Sequence, residues 1–247
     1  MHVACIFAVL CQTLPDLCEF YQEIYRVTPI DLSKPGEPHP RLYPYPSSFQ
    51  KDGLEVKFTF MRALEDDAAC VAFRARTEGA EPQDIVVKFV SQYSVDIHKF
   101  LADRELAPQL HYFGLLPGLL TLIAHAQDFL PLMYMVVMDY IEQTRTPDDA
   151  RKQLEDALQM LHDKRYVLGD LREPNILFNE NGKLKLIDFD WAGRYEKDTD
   201  ASPIGDDCFA CYPLGMSSDI RWPQGAGNLE LIVPQHNIEM LDKSCPQ

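Results

Sequence analysis

Residues 54–60, Leu-Glu-Val-Lys-Phe-Thr-Phe, alternate in polarity with the period of a half-buried strand. Two more strand-like runs follow at 70–75 and 84–90, joined by a polar loop holding Gly79 and Pro82. A helical pattern then covers 95–106, with Ile97, Phe100 and Leu101 on one face. Apolar runs at 110–116 and 133–138 come next. The first half is therefore strand-rich with one helix inside it, which argues for an α+β fold.

The second half opens with a helix. Thr146 is placed to cap it, Pro147 to occupy its first position, and Asp148 and Asp149 its first turn. Leu154, Leu158 and Leu161 form the stripe to be buried, and Lys164 and Arg165 suit the negative C-terminal end. Short strands at 176–178 and 183–187 then flank the turn Asn179-Glu-Asn-Gly182. At the other end, residues 1–10 are mostly apolar but lack a preceding Lys or Arg and a small-residue cleavage site, so they read as buried chain rather than a signal peptide. A helical stretch at 14–25 and a proline-rich extended segment at 31–47 follow.

Charge narrows the partners. There are 38 acidic and 23 basic residues, a formal net charge of −15, which argues against nucleic acid and against anionic lipid surfaces. The longest apolar region, 113–138, is broken by Pro117, Gly118, His125, Gln127, Asp128 and Pro131, so no membrane span is expected. Seven cysteines at irregular spacing, with one isolated Cys208-x-x-Cys211, suggest ordinary thiols rather than a disulfide or zinc framework. The expected location is the cytoplasm or the nucleus. His98, His111, His162 and His236 lack metal-ligand spacing and read as packing or capping residues. Trp191 and Trp222 read as core.

The chemistry concentrates in Leu168-Gly-Asp170-Leu-Arg172-Glu-Pro-Asn175 and in Ile187-Asp188-Phe-Asp190-Trp-Ala-Gly193. Asp188 follows a short apolar strand, and a hairpin would bring it to Asn175. One carboxylate and one amide oxygen make a poor all-protein cage for Mg²⁺, but they suit an ion that also takes phosphate oxygens. Asp170 is then available to orient or deprotonate an attacking hydroxyl. Asp190 reads as a solvent carboxylate, with a second metal contact as the alternative.

These residues resemble the catalytic loop and metal motif of the protein kinase-like superfamily, and in particular the small kinase-like proteins of mushroom-forming fungi. The resemblance implies a catalytic role for Asp170, with Arg172 as a cation near the transferring phosphate, and Mg²⁺ ligation by Asn175 and Asp188. Ile85-Val-Val-Lys88 resembles the strand whose lysine holds the ATP phosphates. Asp139, Tyr140 and Ile141 resemble the hinge whose backbone meets adenine, and Asp96 stands where the family's ion-pair glutamate is expected. The implied fold is a two-lobed kinase-like one. It comprises an N-terminal extension (1–49), a strand-rich lobe (50–138) and a reduced helical lobe (139–247). The implied cofactors are ATP and Mg²⁺, and the implied reaction is γ-phosphoryl transfer to a hydroxyl of an unknown protein or small-molecule acceptor.

Departures from the pattern support a rival class, an inactive pseudokinase serving as a binding or scaffold module. No Gly-x-Gly-x-x-Gly precedes Lys88, Gly169 stands where an arginine is usual, and Asp190 replaces the glycine of Asp-Phe-Gly. No Ala-Pro-Glu follows, and the 54 residues after Gly193 leave little room for a peptide-binding platform.

Overall fold

A computed structural model describes residues 14–15, 46–65, 71–116, 133–195 and 209–244. The readings of 1–10, of 31–45, of most of 14–25 and of Cys208 fall outside the described residues. The described chain is mixed α/β. In order it runs β1 (Ser48–Lys51), β2 (Leu54–Ala63), β3 (Ala72–Thr77), β4 (Asp84–Val90), α1 (Val95–Ala102), β5 (Leu110–Leu115) and β6 (Tyr134–Asp139). Then come α2 (Ala150–Asp163), β7 (Tyr166–Val167), a 3₁₀ turn (Glu173–Asn175), β8 (Ile176–Phe178), β9 (Leu184–Leu186), β10 (Gly193–Arg194) and α3 (Pro234–Ser244).

The first six strands form one sheet, β1-β2-β3-β4-β6-β5, with every neighbouring pair antiparallel. The sheet curls toward a barrel. Phe49 on one edge strand lies 6.2 Å from the Tyr112 ring and 6.5 Å from the His111 ring on the other. Phe58, Phe60, Phe73, Ile85, Val87, Phe89, Met135 and Val137 fill the space the curl encloses. Side chains alternate across a strand, so Val86, Lys88 and Val90 of β4 point to the opposite face, as do Val136 and Met138 of β6. That outer face looks toward the helical half.

A second core joins the two halves. Ile97 and Leu101 of α1 share one buried cluster with Leu154, Leu158 and Leu161 of α2, with Ile176, Phe178, Leu184 and Leu186, and with Met240 and Leu241 of α3. The helix embedded in the strand-rich half is thus packed into the helical half. A smaller cluster of Val167, Ala210, Tyr212 and Ile232 seats the C-terminal segment.

The stripe Leu154, Leu158 and Leu161 is buried as expected, but the start of its helix is not where the capping residues place it. α2 begins at Ala150, flanked by Asp149, with no side-chain cap bond. The segment before it is tied to β8 instead. Thr144 N–H donates to the Phe178 carbonyl at 3.0 Å, and Phe178 N–H donates to Gln143 Oε1 at 2.8 Å. Between that tie and the helix, Ala150 N–H donates to the Pro147 carbonyl at 3.1 Å in a turn. No helix among the described residues is long and apolar enough to cross a membrane.

Candidate active site

Lys88 leaves the outer face of β4 and is 7% exposed. Its Nζ donates to Asp188 Oδ1 and to Asp190 Oδ1, both at 2.7 Å. The loop that presents these carboxylates is fixed by backbone bonds on both sides. Leu186 N–H donates to the Leu106 carbonyl at 2.8 Å, and Ile187 N–H to the Asn175 carbonyl at 3.1 Å. Asp188 itself has φ of +65°. A left-handed non-glycine residue of this kind costs of order 1–3 kcal/mol, and such strain gathers at functional sites. The left-handed residue is Asp188, while Asp190 keeps an ordinary negative φ. The third position of the motif therefore has no need of glycine here, which explains how Asp190 is accommodated.

The charges in this trio are unequal. Burial works against Lys88, yet the two facing carboxylates hold its pKa above the ordinary lysine value. Burial also works against ionised Asp188, but Lys88 overcomes it and holds Asp188 below the usual carboxylate range. For Asp190, burial together with the neighbouring Asp188 charge outweighs Lys88 and pushes its pKa up to about 7. A carboxyl group raised in this way binds a proton in the native state that the unfolded chain, with a value near 3.9, has already released. Its ionisation therefore lowers stability as pH rises from about 4 to about 7. In metal-free buffer, the melting temperature of Asp190→Asn relative to the parent should climb over that interval. A difference independent of pH would show that Asp190 ionises normally.

Asp170 follows β7 and is 7% exposed. Arg172 holds it in a bidentate pair, Nε to Oδ1 at 2.5 Å and Nη2 to Oδ2 at 2.6 Å. Asn175 comes from the 3₁₀ turn and donates Nδ2–H to the Asp170 carbonyl at 3.0 Å and to Asp170 Oδ2 at 3.1 Å. Its Oδ1 has no partner among the described residues. Asp170 is thus engaged rather than free, and Arg172 sits on it. The guanidinium also lies 5.7 Å from the Trp222 ring centroid. Trp191 and Trp222 are partly buried with their rings 5.7 Å apart.

Gly169 has a structural reason to replace a larger residue. Its φ is +82°, and a Cβ there would lie 2.8 Å from Ile232 Cδ1 and 2.9 Å from the Trp191 carbonyl. The loop carrying Asp188 and Asp190 comes so close to the Asp170 loop that only glycine fits.

Two readings of the sequence change. Asp96 is exposed on α1 and does not pair with Lys88. The helix turns Ile97, His98 and Leu101 inward, so Asp96 faces solvent, and Asp190 takes the place beside Lys88. Among the hinge residues, the Asp139 side chain shares the face of Val137, inside the curl, where His111 Nε2 meets its Oδ1 at 2.6 Å. Asp139 N–H already donates to the Gln109 carbonyl and Tyr140 N–H to the Asp84 carbonyl. Ile141 N–H has no partner among the described residues and remains available to a ligand.

The oxygen donors fit a phosphate-bound cation: the Asp188 carboxylate and the Asn175 Oδ1 lie on adjoining loops, and the Lys88 ammonium beside Asp188 is a cation suited to phosphate oxygens. Among the described residues no group of three His, Cys, Asp or Glu side chains could hold a metal by itself. The sequence reading missed Asp190 as a partner of Lys88. The signal was available in the spacing Asp188-Phe-Asp190, which puts two carboxylates at the same strand end. No protein-family model matches the chain, and no curated protein matches it.

Proposed function

We propose that the chain is a kinase-like phosphotransferase, a two-lobed fold with lobes at 50–138 and 139–247 that binds ATP with Mg²⁺ and phosphorylates a hydroxyl. One observation carries this reading: Lys88 reaches across 100 residues of sequence to Asp188, beside the loop of Asp170 and Asn175. The lysine stands on a strand followed directly by a helix, as the kinase signature requires.

In this reading Lys88 leaves its carboxylate partners to bind phosphate oxygens, and Ile141 N–H meets the adenine. Asp188 and Asn175 would hold Mg²⁺, which supplies charge neutralisation on the phosphates. Arg172 would turn from Asp170 to the transferring group, which frees Asp170 to orient the acceptor hydroxyl. The acceptor is a protein or small molecule. A cytoplasmic or nuclear location belongs to the same reading.

The pseudokinase reading draws on the three closed ion pairs, Lys88 with Asp188 and with Asp190, and Arg172 with Asp170. Two measurements separate them. A ligand that binds only the folded state at 100 times its Kd stabilises it by about 2.7 kcal/mol, so saturating ATP with Mg²⁺ should raise the melting temperature by several degrees. An unchanged melting curve would remove the nucleotide-binding reading. A radiolabel transfer screen over protein, sugar and lipid acceptors then decides between turnover and binding alone.

A further inference from the structure

α1 makes no ion pair with Lys88, yet the loop that faces Lys88 is fixed firmly against α1. His98 is fully buried at that junction. Its Nε2 lies 2.8 Å from the Pro108 carbonyl, so this nitrogen carries the proton and donates. Nδ1 is then an acceptor, and the Tyr93 hydroxyl donates to it at 2.7 Å. The ring stacks on Phe189, centroids 4.7 Å apart and planes within 27°. Tyr93 meets the same Phe189 edge-on at 6.1 Å, and Ser94 N–H donates to the Phe189 carbonyl at 3.1 Å. Phe189 itself is fully buried and stands between Asp188 and Asp190. Ring and backbone of the central motif residue are thus both held by residues 93–98.

We infer that His98 is a positioning residue for the candidate site. Through its stack on Phe189 and its bonds to Tyr93 and Pro108 it holds Asp188 and Asp190 at Lys88. In kinases an acidic residue of the corresponding helix pairs with the lysine, and movement of that helix switches the site. Here a neutral, buried contact ties the helix to the metal loop instead. Burial keeps the imidazole uncharged, with its pKa lowered to about 4, so the contact persists throughout the physiological range. A solvent-exposed ion pair can be exchanged for water at little cost, whereas this contact cannot open without unpairing buried polar groups. The inference deepens the kinase-like reading, but the placement of two carboxylates at Lys88 is testable without any nucleotide.

The test is the reactivity of Lys88. Nucleotide-free protein is acetylated with limiting reagent near pH 8, and Lys88 labelling is measured by peptide mass spectrometry against the exposed Lys152 and Lys183. In the parent, Lys88 should be labelled slowly, because it is buried and held between two carboxylates. In His98→Ala the loop loses its anchor and the carboxylates leave. Release of the loop unpairs Lys88 and opens it to reagent, so labelling relative to Lys152 should rise severalfold above the parent ratio. His98→Gln, which can donate to Pro108 and accept from Tyr93, should recover part of the protection. Val137→Ala, a sheet-core change, gives the comparison for general loosening. If His98→Ala fails to fold, Tyr93→Phe removes only the hydroxyl and is judged by the same ratio. Labelling no greater than in Val137→Ala would overturn the inference. A parent that ignores ATP with Mg²⁺ would overturn the kinase-like reading while leaving this result standing.

Discussion

On the proposed kinase-like reading, Asp170→Asn is expected to retain ATP·Mg²⁺ binding and to lose about 10²–10⁴-fold in phosphoryl transfer, the usual contribution of a positioned general base. The structure makes the separation sharp. Asp170 contacts Arg172 and Asn175 but does not touch Lys88, so replacing it removes no member of the Lys88, Asp188 and Asp190 trio. The released Arg172 side chain is 35% exposed and can be hydrated, so the fold should tolerate the change. Asp188→Asn is the contrasting variant. It weakens the acceptor that Lys88 meets and one of the two proposed metal ligands, so it should lower ATP affinity only when Mg²⁺ is present. Equilibrium binding with and without Mg²⁺, together with single-turnover transfer, checks both. Equal loss of nucleotide affinity in the two variants would show that the roles are misassigned.

Lys88→Met should be the most damaging single change to both stability and nucleotide binding. It leaves two carboxylates facing each other without their cation. Removing one partner of a buried ion pair costs about 3–5 kcal/mol; Asp188 and Asp190 keep 33% and 25% side-chain exposure, which moves the expectation to the low end or below. The loss should be greatest above pH 7 and shrink toward pH 5, because Asp190 then takes up a proton and relieves the repulsion. Adding Asp190→Asn to Lys88→Met should restore much of the melting temperature but none of the ATP·Mg²⁺ shift. Chemical denaturation at several pH values, with and without nucleotide, reads all three effects. A Lys88→Met protein of parental stability at pH 8 would mean that the trio is not formed in solution.

Much of the local structure is legible in the chain itself. The alternation at 54–60 and the apolar runs at 84–90 and 133–138 become β2, β4 and β6, because residue period alone decides which side chains can face a core. The 3.6-residue stripe of Leu154, Leu158 and Leu161 becomes the buried side of α2 for the same reason. The grouping of Asp170, Asn175 and Asp188 is also legible, because a short hairpin joins Asn175 to the strand before Asp188. Other features depended on contacts between segments distant in sequence. The outward turn of Asp96 follows from burial of Ile97 and Leu101 in the core shared by the two halves, which the eight-residue helix does not reveal on its own. The pairing of Lys88 with Asp190 and the stack of His98 on Phe189 join residues up to 102 positions apart. Spacing along a chain specifies which side chains share a strand or helix face. It does not specify which of several nearby carboxylates a buried lysine meets, since that choice is made by packing between α1, β4 and the loop after β9.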